Sequence, residues 1–404
     1  NMVNKMISIF KPKKIKDFNP TGLNMYTFNA GFKKKEKDLL LIIFDKIINV
    51  CCVYSKTSTP SAPIIWDKRN NKGKVKALVV NSGNANAHTG KDGLKIIDKY
   101  VKALTIKIKC KTNEVLVSST GVIGEKFNPN LIINKFEKIN SKNKNSLLES
   151  AKSIMTTDTF PKVSIKNIKL DNQSFKIYGI AKGSGMIQPN MGTMLVYIFI
   201  ECEISNKLMS RLLKNNLDNT FNSITVDSDT STSDTLMIFS VSNKTINLNK
   251  KNFKILNYKI NELMHDLSLQ VVKDGEGISK LIRVNVFNAR SKKQAKKIAF
   301  SIANSPLIKT AVAGEDANWG RVIMAIGKTE ENINQNKIKV LFGNYIVCEN
   351  GSISKQINIR KLDNYMKNKT IDLNVKLNLG KFHHTVYGND LTFEYIKINS
   401  DYRS

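Results

Sequence analysis

Apolar positions along this chain follow two rhythms. One is the short unbroken run expected of strands buried on both faces, as in Leu39 to Phe44, Ile48 to Tyr54, Ala77 to Val80 and the TMLVYIFI stretch that ends at Ile200. The other is the helical spacing of Leu94, Ile97, Val101 and Leu104, which predicts an amphipathic helix packing one face. Helical periodicity returns over Leu147 to Ile154, at Leu208, Leu212, Leu217 and Phe221, over Ile260 to Leu267 and over Ala295 to Ala303. The last part of the chain reads as strands again. Several strands end in small polar residues: Asn81, Ser82, Asn84 and Asn86 after the first, Ser118 to Gly121 after EVLV. No internal repeat, low-complexity tail or clear linker interrupts the pattern. This argues for one packed body, or for two domains sharing an interface, rather than separate modules on a string.

Composition narrows this further. At 404 residues with 41% hydrophobic content, the chain can bury a substantial core. Its five cysteines show no CxxC spacing and read as small side chains of a reducing compartment. The four histidines give no zinc pattern, so no metal is expected. A net charge of +31 invites a nucleic-acid reading. Yet lysine is spread along the whole chain, and its abundance beside Asn and Ile is what AT-rich codons supply. No nucleic-acid partner is expected. No window reaches the about 18–20 apolar residues of a membrane span, and the start lacks a secretory signal's apolar core. The expectation is a soluble, cytoplasmic protein without a membrane partner.

Candidate chemistry centres on Ala181 to Leu195, AKGSGMIQPNMGTML. A threonine hydroxyl is a weak nucleophile unless a base stands beside it. Cutting the chain before the threonine makes its own α-amine that base. Glycine before Thr193 and glycines at 183 and 185 give such a turn its freedom to bend. The same residues also suit an ordinary glycine turn entering a buried strand. Thr120 and Gly121 can offer a hydroxyl and a backbone N–H to an oxyanion, or simply end a strand. Met155 to Thr159 is a hydroxyl-rich cluster that can bind or cap. Asp227, Asp229 and Asp234 lie in TVDSDTSTSDT, which lacks EF-hand spacing, so a structural polar loop is expected over a calcium site. Glu276 sits between two glycines, where a carboxylate can approach a small ligand or a plain turn can form. AGEDANWGR reads as a tight turn with a helix start, or as a subunit contact.

Taken in order, VNSGNAN, SSTGVIG, TTDTFPK, KGSGMIQPNMGTML, VDSDTSTSDT, DGEGISK, AGEDANWGR and the terminal NSDYRS resemble the ornithine acetyltransferases, the glutamate N-acetyltransferases of arginine biosynthesis. The similarity runs from about Gly22 to the last residue. It implies a precursor that cleaves itself between Gly192 and Thr193, giving an α chain of residues 1–192 and a β chain of residues 193–404. Thr193 would then be the nucleophile, with the oxyanion-hole pair at Thr120 and Gly121. Substrate contacts would fall on Thr156, Lys182, Thr193, Glu276, Asn399 and Ser404. The implied reaction is a ping-pong transfer of acetyl from N-acetylornithine to glutamate through an acetyl-threonine. It needs no cofactor, and acetyl-CoA serves as a second donor in bifunctional members. An α2β2 heterotetramer and a layered α/β fold, with β-sheets sandwiched between helices as in self-processing aminopeptidases, are implied as well. A related hydrolase would pass the acyl group to water instead. The chain departs from the family pattern at Gly192 (usually Ala), Gln188 (a small residue), Ser228 (Gly), Ser233 (Asn) and Ser404 (Thr). None of these removes a group that the chemistry requires.

Overall fold

The computed structural model describes residues 7–188, 194–242 and 244–401. Thr193, Gly192 and Ser404 lie outside the described residues. Among those described, the first sheet has eight strands: β1 (Leu23–Phe28), β2 (Leu39–Tyr54), β3 (Lys74–Asn84), β4 (Val115–Val122), β5 (Lys162–Leu170), β6 (Gln173–Lys182), β7 (Leu195–Ile200) and β8 (Thr235–Ser240). Their order is β4-β3-β2-β8-β7-β6-β5, with β1 pairing beside the first half of β2. Pairs β3/β4 and β7/β8 are parallel and the others antiparallel.

The two apolar runs around Asp45 and Lys46 belong to one strand. Asp45, Lys46 and Ile47 are exposed at a shift of register between Ile43 and Ile48, and the strand continues beyond them. This bend lets the first part of β2 pair with β3 and the last part pair with β8. One strand thereby joins both halves of the sheet.

Helices cover both faces of this sheet. α1 (Ala62–Asn70), α2 (Gly90–Ile108) and α3 (Asn130–Phe136) pack over β2, β3 and β4 around Leu41, Val79, Tyr100 and Val117. α4 (Leu147–Ser153) joins a cluster holding Tyr178, Tyr197 and Phe239, while α5 (Asn206–Asn216) and α6 (Lys250–Lys273) cover the opposite face. All six residues of β7 are buried. Val196, Ile198 and Ile200 join the α5/α6 core, and Leu195, Tyr197 and Phe199 join the α4 side. That double burial is why the strand reads as an unbroken apolar run. Phe199 stacks between Tyr178 and Phe239, with centroids 5.1 Å away on each side.

The second sheet combines β9 (Leu281–Ala289), β10 (Lys339–Phe342), β11 (Tyr345–Glu349), β12 (Ser352–Ile353), β13 (Thr370–Lys376) and β14 (Phe382–Asn389) in the order β12-β11-β10-β13-β9-β14. α7 (Lys292–Ala303), α8 (Pro306–Ala313), α9 (Trp319–Gly327) and α10 (Ile359–Met366) complete its core. The chain closes on a helix rather than strands, α11 (Phe393–Ser400). AGEDANWGR is the helix start: Asn318 caps α9 by accepting from Arg321 N, and Trp319 packs against the second core. The helix expected through Leu217 and Phe221 ends at Asn216, and Phe221 stands in a short 3-10 turn. No helix among the described residues is long and apolar enough to cross a membrane.

Candidate active site

β3 and β4 run in parallel register and carry small polar residues further than the apolar pattern suggests. Both strands continue through those residues, so Ser82 faces Thr120 and Gly83 faces Gly121. Gly121 has φ +130°, and a Cβ there would lie 2.3 Å from the Gly83 carbonyl carbon. No other residue fits that close approach of two backbones. The amides of the neighbouring loop are spent internally. Asn81 donates to Asn84 O and accepts from Ser119 Oγ, Asn84 donates to Glu125 O, and Asn86 donates to Gly93 O. They build the turn and leave the site to Thr120 and Gly121.

At the end of β6, Lys182 is buried beneath the same strand ends. Its Nζ donates to Thr120 Oγ at 3.0 Å and forms no ion pair among the described residues. An ammonium group cannot accept, so the Thr120 oxygen is the acceptor and its own proton points elsewhere. Burial, together with the charge of Lys162, holds the Lys182 pKa below the ordinary lysine value, against the opposing pull of Asp158, Asp234 and Glu276. Glu276 follows the C-terminus of α6, where its amide donates to Ser184 O at 3.0 Å. Its side chain is 7% exposed, and burial raises its pKa against the hydrogen bonds from Thr157 and Asn399. Asn399 Nδ2, from α11, reaches Glu276 Oε2 at 2.8 Å. A Cβ on Gly185 would lie 2.5 Å from that carboxylate, so the glycine admits Glu276.

These groups line one cavity of about 420 Å³, with Thr120, Gly121, Thr156, Lys182, Glu276 and Asn399 all on its wall. Every described candidate residue is thus brought to one place. The volume suits a small polar metabolite. Gly185, Met186 and Ile187 line it too, as do Met194 and Leu195. The described chain on both sides of the Gly192–Thr193 bond therefore borders the same space. Among the described residues, no three His, Cys, Asp or Glu side chains are grouped to hold a metal ion.

Behind the cavity lies a buried charge cluster that joins Asp158 and Lys162 to Asp274, 112 positions beyond Lys162. Lys162 Nζ contacts Asp158 Oδ1 and Asp274 Oδ2 at 2.6 Å each, and all three side chains are sealed from solvent. Asp158 Oδ1 also accepts from Gly183 N at 2.7 Å. Burial opposes ionisation of Asp158, but the charges of Lys162 and Lys182 prevail and hold its carboxyl well below the usual range. Asp234, fully buried on the cavity wall, behaves differently: burial raises its pKa to about 7 against a hydrogen bond from Met194 N and the charge of Lys182. The aspartate-rich loop hinted at these groups only as a cluster of acids. Asp158 falls inside the hydroxyl-rich cluster without being singled out there, and nothing in the local pattern marked Tyr395, which also lines the cavity.

Fold and site together define a layered α/β protein that encloses a buried cation, a buried carboxylate and a closely apposed strand pair around one small cavity. The chain belongs to the ArgJ family, which it matches over residues 24–404. It is 42% identical to the arginine biosynthesis bifunctional protein ArgJ of Bartonella henselae, across 98% of this chain and 99% of that one. Among solved structures, the ArgJ protein of Bacillus halodurans is 31% identical at a TM-score of 0.47, covering 50% of this chain and 98% of that chain. The ornithine acetyltransferase of Mycobacterium tuberculosis, solved with ornithine, is 27% identical at a TM-score of 0.38, covering 43% of this chain and 93% of that chain.

Proposed function

We propose that this chain is a glutamate N-acetyltransferase of arginine biosynthesis, activated by its own cleavage before Thr193. The observation that carries the reading is the single cavity shared by Thr120, Gly121, Lys182, Glu276 and the chain on both sides of the scissile bond. In maturation, Thr193 Oγ attacks the Gly192 carbonyl carbon, and the peptide nitrogen leaves as the threonine's amine. Water then hydrolyses the resulting ester, freeing the Gly192 carboxylate and the Thr193 hydroxyl. In turnover, the new α-amine takes the hydroxyl proton as Oγ attacks the acetyl carbonyl of N-acetylornithine. Thr120 and Gly121 receive the oxyanion, a contribution of about 3–4 kcal/mol per donor in such sites. The proton returns to the departing ornithine amine, and the glutamate amine attacks the acetyl-threonine to give N-acetylglutamate.

Charge supports the substrate assignment. The buried Lys182 ammonium matches an α-carboxylate, which both substrates carry. Glu276, with Asn399 beside it, matches the side-chain ammonium of ornithine. Thr156 contributes a hydroxyl from the wall, and Ser404 is assigned a contact with substrate. The relatives' designation as bifunctional supports acetyl-CoA as a second donor, its thiol leaving as Thr193 is acetylated. An α2β2 assembly accords with α11, which has no buried residue and exposes Phe393 and Ile396 at 91% and 62%.

The test is intact mass on freshly purified protein, followed by an exchange assay. Fragments 1–192 and 193–404, with transfer from N-acetylornithine to glutamate, are expected; Thr193→Ala should stay whole and inactive. A wild-type chain that stays whole sinks the nucleophile assignment. Release of free acetate without glutamate dependence would favour the hydrolase reading. Formation of N-acetylglutamate and free thiol from acetyl-CoA tests the second donor, and light scattering tests the assembly.

A further inference from the structure

The aspartate-rich loop between Thr225 and Thr235 has no assigned part in the transfer chemistry; besides bonds within itself and to residues such as Ser55, Ser61 and Tyr395, it makes a set of hydrogen bonds to the backbone on both sides of the scissile bond. Upstream of the scissile bond, Asp227 accepts from Met186 N at 2.7 Å through one oxygen and from Ile187 N at 2.9 Å through the other. Val226 N donates to Ile187 O at 2.8 Å, and Gln188 N donates to Asp229 O at 2.9 Å. Thr230 Oγ closes the set by donating to Gln188 O at 2.7 Å. Downstream, Met194 N donates to Asp234 Oδ1 at 2.8 Å, and Thr235 N donates to Met194 O at 2.6 Å.

Met186 and Met194 both hold positive φ, +57° and +53°, in the left-handed region that a residue with a Cβ seldom adopts. Their amides are held by the carboxylates of this one loop. A polar loop needing only to satisfy itself would bond within its own turns. This one directs two carboxylates and a hydroxyl onto backbone about 40 residues earlier, on either side of residues 189–193.

We propose that the Thr225–Thr235 loop is a clamp that fixes both shoulders of the scissile segment for self-cleavage, with Asp234 the positioning residue downstream and Asp227 its counterpart upstream. The inference rests on the cleavage reading above. Asp234 Oδ1 holds the N–H of Met194, the peptide nitrogen bonded to the Thr193 carbonyl carbon. That anchor holds the described chain at Met194, the residue next to the scissile bond's threonine. Attack on the preceding carbonyl requires a near-attack arrangement, and a displacement of about 1 Å can slow such a step about 100-fold. Fixing both ends of so short a segment restricts it far more than fixing one.

The experiment is cell-free pulse-chase synthesis of the full chain, with conversion to fragments 1–192 and 193–404 followed by mass. Wild type should convert and Thr193→Ala should not. Asp234→Ala should slow conversion at least about tenfold, whereas Asp234→Asn, whose amide oxygen still accepts from Met194 N, should remain within about threefold of wild type. Asp227→Ala should slow it similarly, and Asp227→Asn, with one acceptor oxygen left for two amides, should fall between. Rescue by the amide separates positioning from a general loss of folding, and the half-buried Asp227 pair keeps the test open should Asp234→Ala fail to fold. Folded alanine variants converting at the wild-type rate would overturn the clamp, as would Asp234→Asn failing as badly as Asp234→Ala. A wild-type chain that stays whole, or a Thr193→Ala chain that still splits there, would overturn the cleavage reading and the clamp with it.

Discussion

Lys182 and Glu276 are the residues on which substrate choice should turn. Both are buried, and they carry opposite charges. N-acetylornithine and glutamate share an α-carboxylate but differ in side-chain charge. Lys182→Met should therefore raise KM for both substrates about 10–100-fold, the loss expected for a buried charge-assisted contact. Glu276→Gln should weaken N-acetylornithine by a similar factor and leave the glutamate KM within about threefold. Steady-state kinetics with each substrate varied will separate the two, and equal losses for both substrates in Glu276→Gln would refute its role. Thr120→Val should act on kcat, by about 100–1,000-fold, with little change in KM. At this scale the sequence was informative about identity and silent about geometry. Thr120 and Gly121 stand out as small polar residues after a strand. That Lys182 donates to Thr120, leaving the hydroxyl proton for other use, depends on two strands meeting across 62 positions.

Among the elements, the joint between the start of β5 and the end of α6 is the most sensitive. Lys162 bridges Asp158 and Asp274 with no solvent to screen them. Lys162→Met would strand two buried carboxylates and should destabilise the protein by about 3–5 kcal/mol. Adding Asp158→Asn and Asp274→Asn to it should recover much of that loss, because neither stranded carboxylate then remains. Chemical denaturation of the Thr193→Ala chain, which should stay single, measures both. Most elements were legible: the apolar runs marked β2, β3 and β7, and helical spacing marked α2, α4, α6 and α7. The strand misreadings share one cause. Polar residues inside β2, β3 and β4 break the apolar rhythm but not the ladder, because a neighbouring strand satisfies the backbone on each side. α11 was missed because none of its residues is buried, so no apolar stripe announces it.

For the whole molecule, two buried groups give stability opposite slopes with pH. Asp234 holds its proton up to about pH 7, whereas an unfolded aspartate releases it near 4. The folded state thus binds more protons between those values, and the Asp234 contribution falls as pH rises through them. His384, hydrogen-bonded to Ser223 at 2.8 Å, is pushed down to about 4, mainly by burial. An unfolded histidine gains its proton near pH 6.5, so the His384 contribution falls as pH drops from 6.5 toward 4. In the Thr193→Ala chain, the Tm difference between Asp234→Asn and its parent should grow more positive from pH 5 to pH 7. For His384→Gln it should grow more positive from pH 7 to pH 5. A difference of the wrong sign in either series refutes the corresponding assignment.

The strand order carries a consequence for what cleavage would produce. Across the middle of the first sheet, β2, β8, β7 and β6 lie side by side, so strands from before residue 192 flank two from after it. Severing the Gly192–Thr193 bond would leave the halves braided through one hydrogen-bonded ladder, with nowhere to part short of unfolding. Halves expressed from separate genes would have to find each other before either could complete its sheet, and mature molecules mixed in solution should not trade halves. A single uninterrupted reading frame would then be the assembly instruction, and the cut a finishing step on an object already built.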